Sequence, residues 1–186
     1  MWRAEVTVPR KDVVDAALLQ VHLDTMFDQA LVYHGYTDYM RDYELFVYRT
    51  ADPCTGIPPE HLRYLCRLCV HAEINTAVPA DIWAKSLDER LIDCGPGSDV
   101  EGYAWGAKWQ VLYPGAQVVA HSERAEAWSE RLGIEFHEVC IETNGHNLTL
   151  VFSDLDITRV EPGYRPFTVP DGGPDFKFPL RAPEGS

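Results

Sequence analysis

This chain has no apolar run approaching the ~20 residues needed to cross a bilayer, so no segment reads as a membrane helix. Its first residues, MWRAEVTVPRKD, lack the apolar stretch of a secretory leader, and the expected location is the cytoplasm. Basic residues are scarce: 16 Lys and Arg stand against 29 Asp and Glu, a net charge of −13. With no basic cluster anywhere, phosphate backbones and anionic lipid surfaces are repelled, and neither nucleic acid nor membrane is an expected partner. A basic protein or a cationic ligand is electrostatically easier, although the plainest role of the charge is to keep the protein soluble. Catalytic signatures are missing as well: there is no GxSxG, no GxGxxG and no P-loop. No internal repeat and no low-complexity run occurs. Cysteine is sparse and odd in number, with Cys54, Cys66, Cys69, Cys94 and Cys140. In a cytoplasmic protein these are expected to be reduced and to behave as small apolar residues.

What is present is the composition of an ordinary globule, 46% hydrophobic and 24% charged. Its 186 residues suffice for one domain with a full core. We assign that domain to residues 1–160. Residues 161–186 form a tail in which six prolines and four glycines forbid regular structure. Between Pro9 and Gln29 two periods compete. Val13, Val14, Ala17, Leu18 and Val21 fit a helical face opened by Asp12, while Leu19, Val21, Leu23, Thr25 and Phe27 alternate as in a strand. The reading adopted is a helix through about Leu19 that passes into extended chain. Residues 30–36 and 43–50 read as paired antiparallel strands, joined by a helical turn or a plain hairpin loop. A long strand follows from Leu62 to Asn75, with Leu65 and Cys69 as exceptions to its alternation. A short helix is expected within 79–91. A strand is expected over 102–112, then a helix over 122–132 with Ser122 as N-cap and Gly133 past its end. The last pair, 134–142 and 147–160, is joined through Asn144-Gly145. Both strands switch their apolar face midway, which predicts bulges or a corner between two packed sheets.

Five of nine tyrosines, Tyr33, Tyr36, Tyr39, Tyr43 and Tyr48, fall in the stretch YHGYTDYMRDYELFVY. A tyrosine ring prefers burial while its hydroxyl wants a partner, so such clusters suit interfaces and pockets. Tyr36, Asp38, Tyr39, Arg41, Asp42 and Tyr43 are the candidate binding residues, with Arg41 able to grip a carboxylate. The plain alternative is a solvated turn whose Arg–Asp pair contributes about 0–1 kcal/mol. A second candidate is the row Tyr103, Trp105 and Trp109, with Ala107 leaving a concavity for a flat ligand, or else simple core packing. Cys66 and Cys69, near His61 and His71, invite a zinc reading, but in an unbroken strand they point to opposite faces. His137, Glu138, Glu142, His146, Asp154 and Asp156 crowd one hairpin, yet His137 and Glu142 diverge for the same reason. No catalytic residue, metal site or cofactor is assigned.

The tyrosine stretch and the later HNLTLVFSDL resemble uncharacterised bacterial proteins from high-GC genomes, an origin that suits arginine outnumbering lysine by 12 to 4. The resemblance brings no activity to any residue. The expected architecture is α+β, mainly antiparallel sheet, curved or two-layer, with one or two packed helices. The expected function is a cytoplasmic binding protein without catalytic activity, which recognises a protein partner or self-associates as a homo-oligomer. The alternative is a small-ligand protein or enzyme with a pocket bordered by Trp105 or Trp109 and holding His34 or His137. A weaker third is a metal-dependent hydrolase at the 137–156 hairpin.

Overall fold

The computed structural model describes residues 15–37, 40–49, 58–80, 98–100, 103–105, 110–161 and 163–164. It opens on helix α1 (Ala16–Asp24), whose N-cap Asp15 accepts a hydrogen bond from the Ala17 amide at 3.2 Å. Leu19, Leu23 and Met26 are buried and lie four and three residues apart, while Val21 is 60% exposed. That is helical burial, so the helix runs on to Asp24 instead of ending near Leu19, and the strand alternation through Phe27 is not used.

The rest is mostly strand, in an α+β architecture of two open antiparallel sheets. The first sheet holds β1 (Ala30–Tyr36), β2 (Tyr43–Arg49), β3 (Glu60–Arg67), β7 (Gln110–Val111) and β11 (Asp154–Val160), in the order β11-β3-β2-β1-β7. The second holds β4 (His71–Thr76), β8 (Gly115–Val118), β9 (His137–Glu142) and β10 (His146–Phe152), in the order β4-β10-β9-β8. A separate ribbon pairs β5 (Ser98–Val100) with β6 (Tyr103–Trp105). The expected strand over 102–112 is thus divided. Its start pairs with β5, whereas its end is drawn to the edge of β1, with Ala30 opposite Val111. Tyr103 and Trp105 belong to β6, while Trp109 lies outside the described residues, as do the side chains of Tyr103 and Trp105. The helix expected within 79–91 falls almost wholly outside them too.

The two sheets share a corner. β3 and β4 are one ribbon broken at Leu68–Val70, and β10 and β11 are a second ribbon broken at Ser153. Arg67 pairs with Asp154 and His71 with Val151, so three residues on one side face two on the other. That single extra residue is a bulge, which bends the strands from one sheet into the next. Leu68 takes a positive φ of 53° there. The corner expected in 147–160 is present, but the strand expected from Leu62 to Asn75 is interrupted by the same corner.

Between the sheets lies the core. Leu31, Tyr43, Leu45, Val47, Tyr64 and Cys66 come from the first sheet; Val139, Ile141, Leu148, Leu150 and Phe152 come from the second; α1 adds Leu19 and Leu23, and the turn after it adds Met26. The outer face of the second sheet carries α2 (Glu123–Leu132), as expected, with Ser122 accepting from the Ala125 amide at 3.0 Å and left-handed Gly133 closing it. Ala125, Phe136 and Val151 are buried beneath it. Phe136 thus belongs to the outer layer and Val139 and Ile141 to the core, so the apolar switch in 134–142 reflects a sheet buried on both faces.

The sheets are joined a second time at the opposite end. The Val111 amide donates to Asn144 Oδ1 at 2.9 Å, and Gln110 Oε1 accepts from Thr143 Oγ1 at 2.6 Å and from the His146 amide at 2.9 Å. A Cβ on Gly145 would sit 2.9 Å from the Gln110 carboxamide, so glycine here answers to a close approach, and its φ is not positive.

The outer edge of β8 is completed by a side chain. Gln20 Nε2 donates to the Ala116 carbonyl at 3.0 Å, and its Oε1 accepts from the Val118 amide at 2.8 Å, as a neighbouring strand would. Gln20→Ala leaves both backbone groups without a partner and is expected to cost about 1–3 kcal/mol, seen as a lower urea midpoint with an unchanged slope. An unshifted midpoint would show that water replaces the carboxamide at no cost.

Candidate functional site

The tyrosine segment divides between the two faces of the first sheet. A bulge in β1 between Leu31 and Tyr33 resets its phase, so that His34 and Tyr36 stand opposite Leu45 and Tyr43 on the core side. Gly35 and Tyr33 lie opposite Glu44 and Phe46 on the other face. Tyr43 is 2% exposed and belongs to the core. Its hydroxyl meets His34 Nδ1 at 2.7 Å, and its ring is met edge-on by Tyr36, with centroids 5.1 Å apart.

Arg41 and Asp42 serve the corner. The Leu68 amide donates to Asp42 Oδ1 at 2.9 Å, and the Cys69 amide donates to the Arg41 carbonyl at 2.8 Å. The Thr37 amide closes the turn onto the Asp42 carbonyl at 3.0 Å. Asp42 is consequently buried, while the Arg41 side chain stays 63% exposed and reaches Asp42 at 3.4 Å. Met40, at φ 53°, is 70% exposed beside it. Of the six candidate binding residues, Tyr36 and Tyr43 therefore join one inward cluster and Arg41 and Asp42 one clasp. Asp38 and Tyr39 lie outside the described residues.

Sequence reasoning left Cys69 out of this cluster. The break at Leu68 turns Cys66 and Cys69 into the same core, which overturns the premise that they point to opposite faces. The Tyr36 hydroxyl interacts with the Cys69 thiol, and the thiol donates to the His71 carbonyl at 3.1 Å. Burial pushes the Cys69 thiol up to about 11 and the Cys66 thiol well above its ordinary value. Burial likewise raises Tyr36 and Tyr43. His34 is lowered, first by burial and then by the nearby His146. At neutral pH the cluster is a set of uncharged donors and acceptors, with no thiolate nucleophile and no imidazolium acid.

A cavity of about 410 Å³ opens between α1, the segment leading into α2 and the start of β9. His137 lines it, almost fully buried, and its Nε2 has no hydrogen-bond partner. Ser122 donates to Glu138, which also faces Arg124 at 3.6 Å. Because its Oγ caps α2, Ser122 is held in a structural role. The other acids expected at this hairpin are dispersed: Asp156 pairs with Arg67 on the first sheet, and Glu142 is exposed. Among the described residues no group of three or more His, Cys, Asp or Glu could hold a metal ion.

Because folding lowers His34, the unfolded chain binds more protons than the folded one below the ordinary value of 6.5. Stability is expected to fall as pH drops through the window between 6.5 and the lowered folded value. His34→Gln should flatten that dependence, as measured by urea midpoints at pH 7.5 and 5.0. A slope identical in the two proteins would refute the burial of a neutral imidazole.

No curated protein and no solved structure matches the chain. Residues 15–170, from the first turn of α1 past the end of β11, match the family described as YxiG-like protein, and the chain belongs to that family.

Proposed function

We propose that this protein is a non-enzymatic binding protein that recognises a protein partner through the turn between β1 and β2. The observation that carries this reading is the contrast within that turn. The Arg41 carbonyl and the Asp42 carboxylate are fastened to the corner by hydrogen bonds, while the side chains of Met40 and Arg41 project into solvent. Residues whose backbone is already held by such bonds lose little entropy on binding. Met40 offers an adaptable apolar contact, and Arg41 offers a guanidinium for a carboxylate on the partner. The uncharged state of His34, Cys66 and Cys69 favours recognition over catalysis at the same place. Affinity capture from the source cells, with wild type, Arg41→Ala and Tyr39→Ala compared by quantitative mass spectrometry, tests the reading. At least one protein should be lost from both variants while their thermal stability stays that of wild type. Identical captured sets would overturn it.

The cavity at His137 favours a second reading, a small polar ligand held against that imidazole. A bound ligand should raise the melting temperature of wild type and not that of His137→Phe, which fills the site. Equal shifts in the two proteins would dismiss it.

A further inference from the structure

We infer that the outer face of the first sheet holds a site for a small, free quaternary ammonium ion, walled by the rings of Tyr33, Phe46 and Tyr164 and facing the carboxylate of Glu161. Tyr33 and Phe46 are cross-strand neighbours on the face turned away from the core, with ring centroids 5.8 Å apart. His61, opposite Tyr48 on one side and Val160 on the other, continues that face. Tyr164 arrives by a turn just past β11. Its amide donates to the Glu161 carbonyl at 3.1 Å, and between them Gly163 takes φ 89°, a left-handed value that a side chain resists. The turn brings the Tyr164 ring back over the sheet, its centroid 5.4 Å from that of Phe46. A cavity of about 240 Å³ lies among Tyr33, Phe46, His61, Glu161, Gly163 and Tyr164. Phe46 is buried, whereas Glu161, Gly163 and Tyr164 are exposed at its rim. No residue of the β1–β2 turn lines it, so the site stands apart from the partner surface proposed above.

The lining selects the ligand. An aromatic face is the negative end of a quadrupole and attracts a cation held within about 6 Å of its centroid. Glu161 is the one carboxylate that lines the cavity, no Lys or Arg lines it, and the chain's net charge of −13 has the same sign as Glu161. Arg63 stands opposite Phe46 but is committed elsewhere: its Nε and Nη2 both donate to Glu44 Oε2, at 2.8 and 2.7 Å. Among the described residues no Lys or Arg stacks on these three rings, and none pairs with Glu161. A hard metal cation would need several oxygen ligands, which rings do not supply. A primary ammonium would leave N–H groups without acceptors against those rings. A quaternary ammonium has no N–H to satisfy, and its methyl groups bury against the rings while its charge stays near Glu161. A ligand with its own carboxylate would be repelled by Glu161. The volume, below the ~300–1,000 Å³ of drug-sized ligand sites, keeps the ion small.

The test is calorimetric titration of the full chain with choline chloride, up to millimolar concentration and with sodium chloride matched for ionic strength. The comparison ligand is 3,3-dimethylbutan-1-ol, which has the shape of choline with carbon in place of nitrogen and no charge. Choline should bind, and the alcohol should bind roughly tenfold more weakly or worse, since only the ion gains from ring quadrupoles and Glu161. Tyr164→Ala removes one wall and should weaken choline roughly 2- to 30-fold. Glu161→Gln should weaken choline and leave the alcohol unchanged. Both side chains are exposed and lie beyond the last strand, so both variants should keep the wild-type circular dichroism spectrum and urea midpoint. Failure of choline to bind wild type overturns the inference. Equal binding of choline and the alcohol overturns it too, because the site would then be a plain apolar hollow. So does choline binding that either variant leaves intact, because the ion would then sit elsewhere.

Discussion

One unmatched residue at the corner organises this molecule. Three residues, Leu68 to Val70, are set against Phe152 and Ser153, and the strands cannot continue flat through that mismatch. The bend turns two ribbons into two facing sheets and creates the space that the core fills. A bend also exposes backbone groups that the ladder no longer pairs, and these must find partners. Here they do: Leu68 uses the Asp42 carboxylate, Cys69 the Arg41 carbonyl, Val70 the Val151 carbonyl and Ser153 the Arg67 carbonyl. Arg41 and Asp42, at the end of the β1–β2 turn, are therefore part of the corner, and their placement follows from the geometry of a remote strand break.

That dependence explains why the polar and aromatic residues of the tyrosine segment do different work. Asp42 is committed to the backbone. Tyr43 is committed to the core, with its hydroxyl satisfied by His34. Arg41 and Met40 are left over, facing solvent on a fixed support. The same economy appears at the edges. A carboxamide finishes β8, a hairpin asparagine finishes β7, and charges line β11.

Much of the fold was legible from local patterns. The strands β1 and β2 follow from their β-rich runs, and α2 follows from Ser122, its helical period and Gly133. The hairpin around Asn144-Gly145 and the corner in 147–160 were announced by turn residues and by a change of apolar phase. Three features were not legible. α1 was cut short because Leu19 to Phe27 satisfies two periods at once, and only burial of Leu23 and Met26 against the sheets decides between them. The break at Leu68 was invisible because Leu62 to Asn75 alternates almost without fault, and a bulge costs the pattern a single residue. The segment from Tyr103 to Val111 reads as one strand, yet its two ends pair with different partners.

The sequence by itself determined the class of fold, the sign of the surface charge and the places where chain direction reverses, because period, charge and turn chemistry are local. Which face each ring occupies was decided only in three dimensions. The β1 bulge carried His34 and Tyr36 to the inside, and the corner brought Cys66 and Cys69 into one core. Phase along a strand depends on a partner far away in the chain, and no local spacing records it.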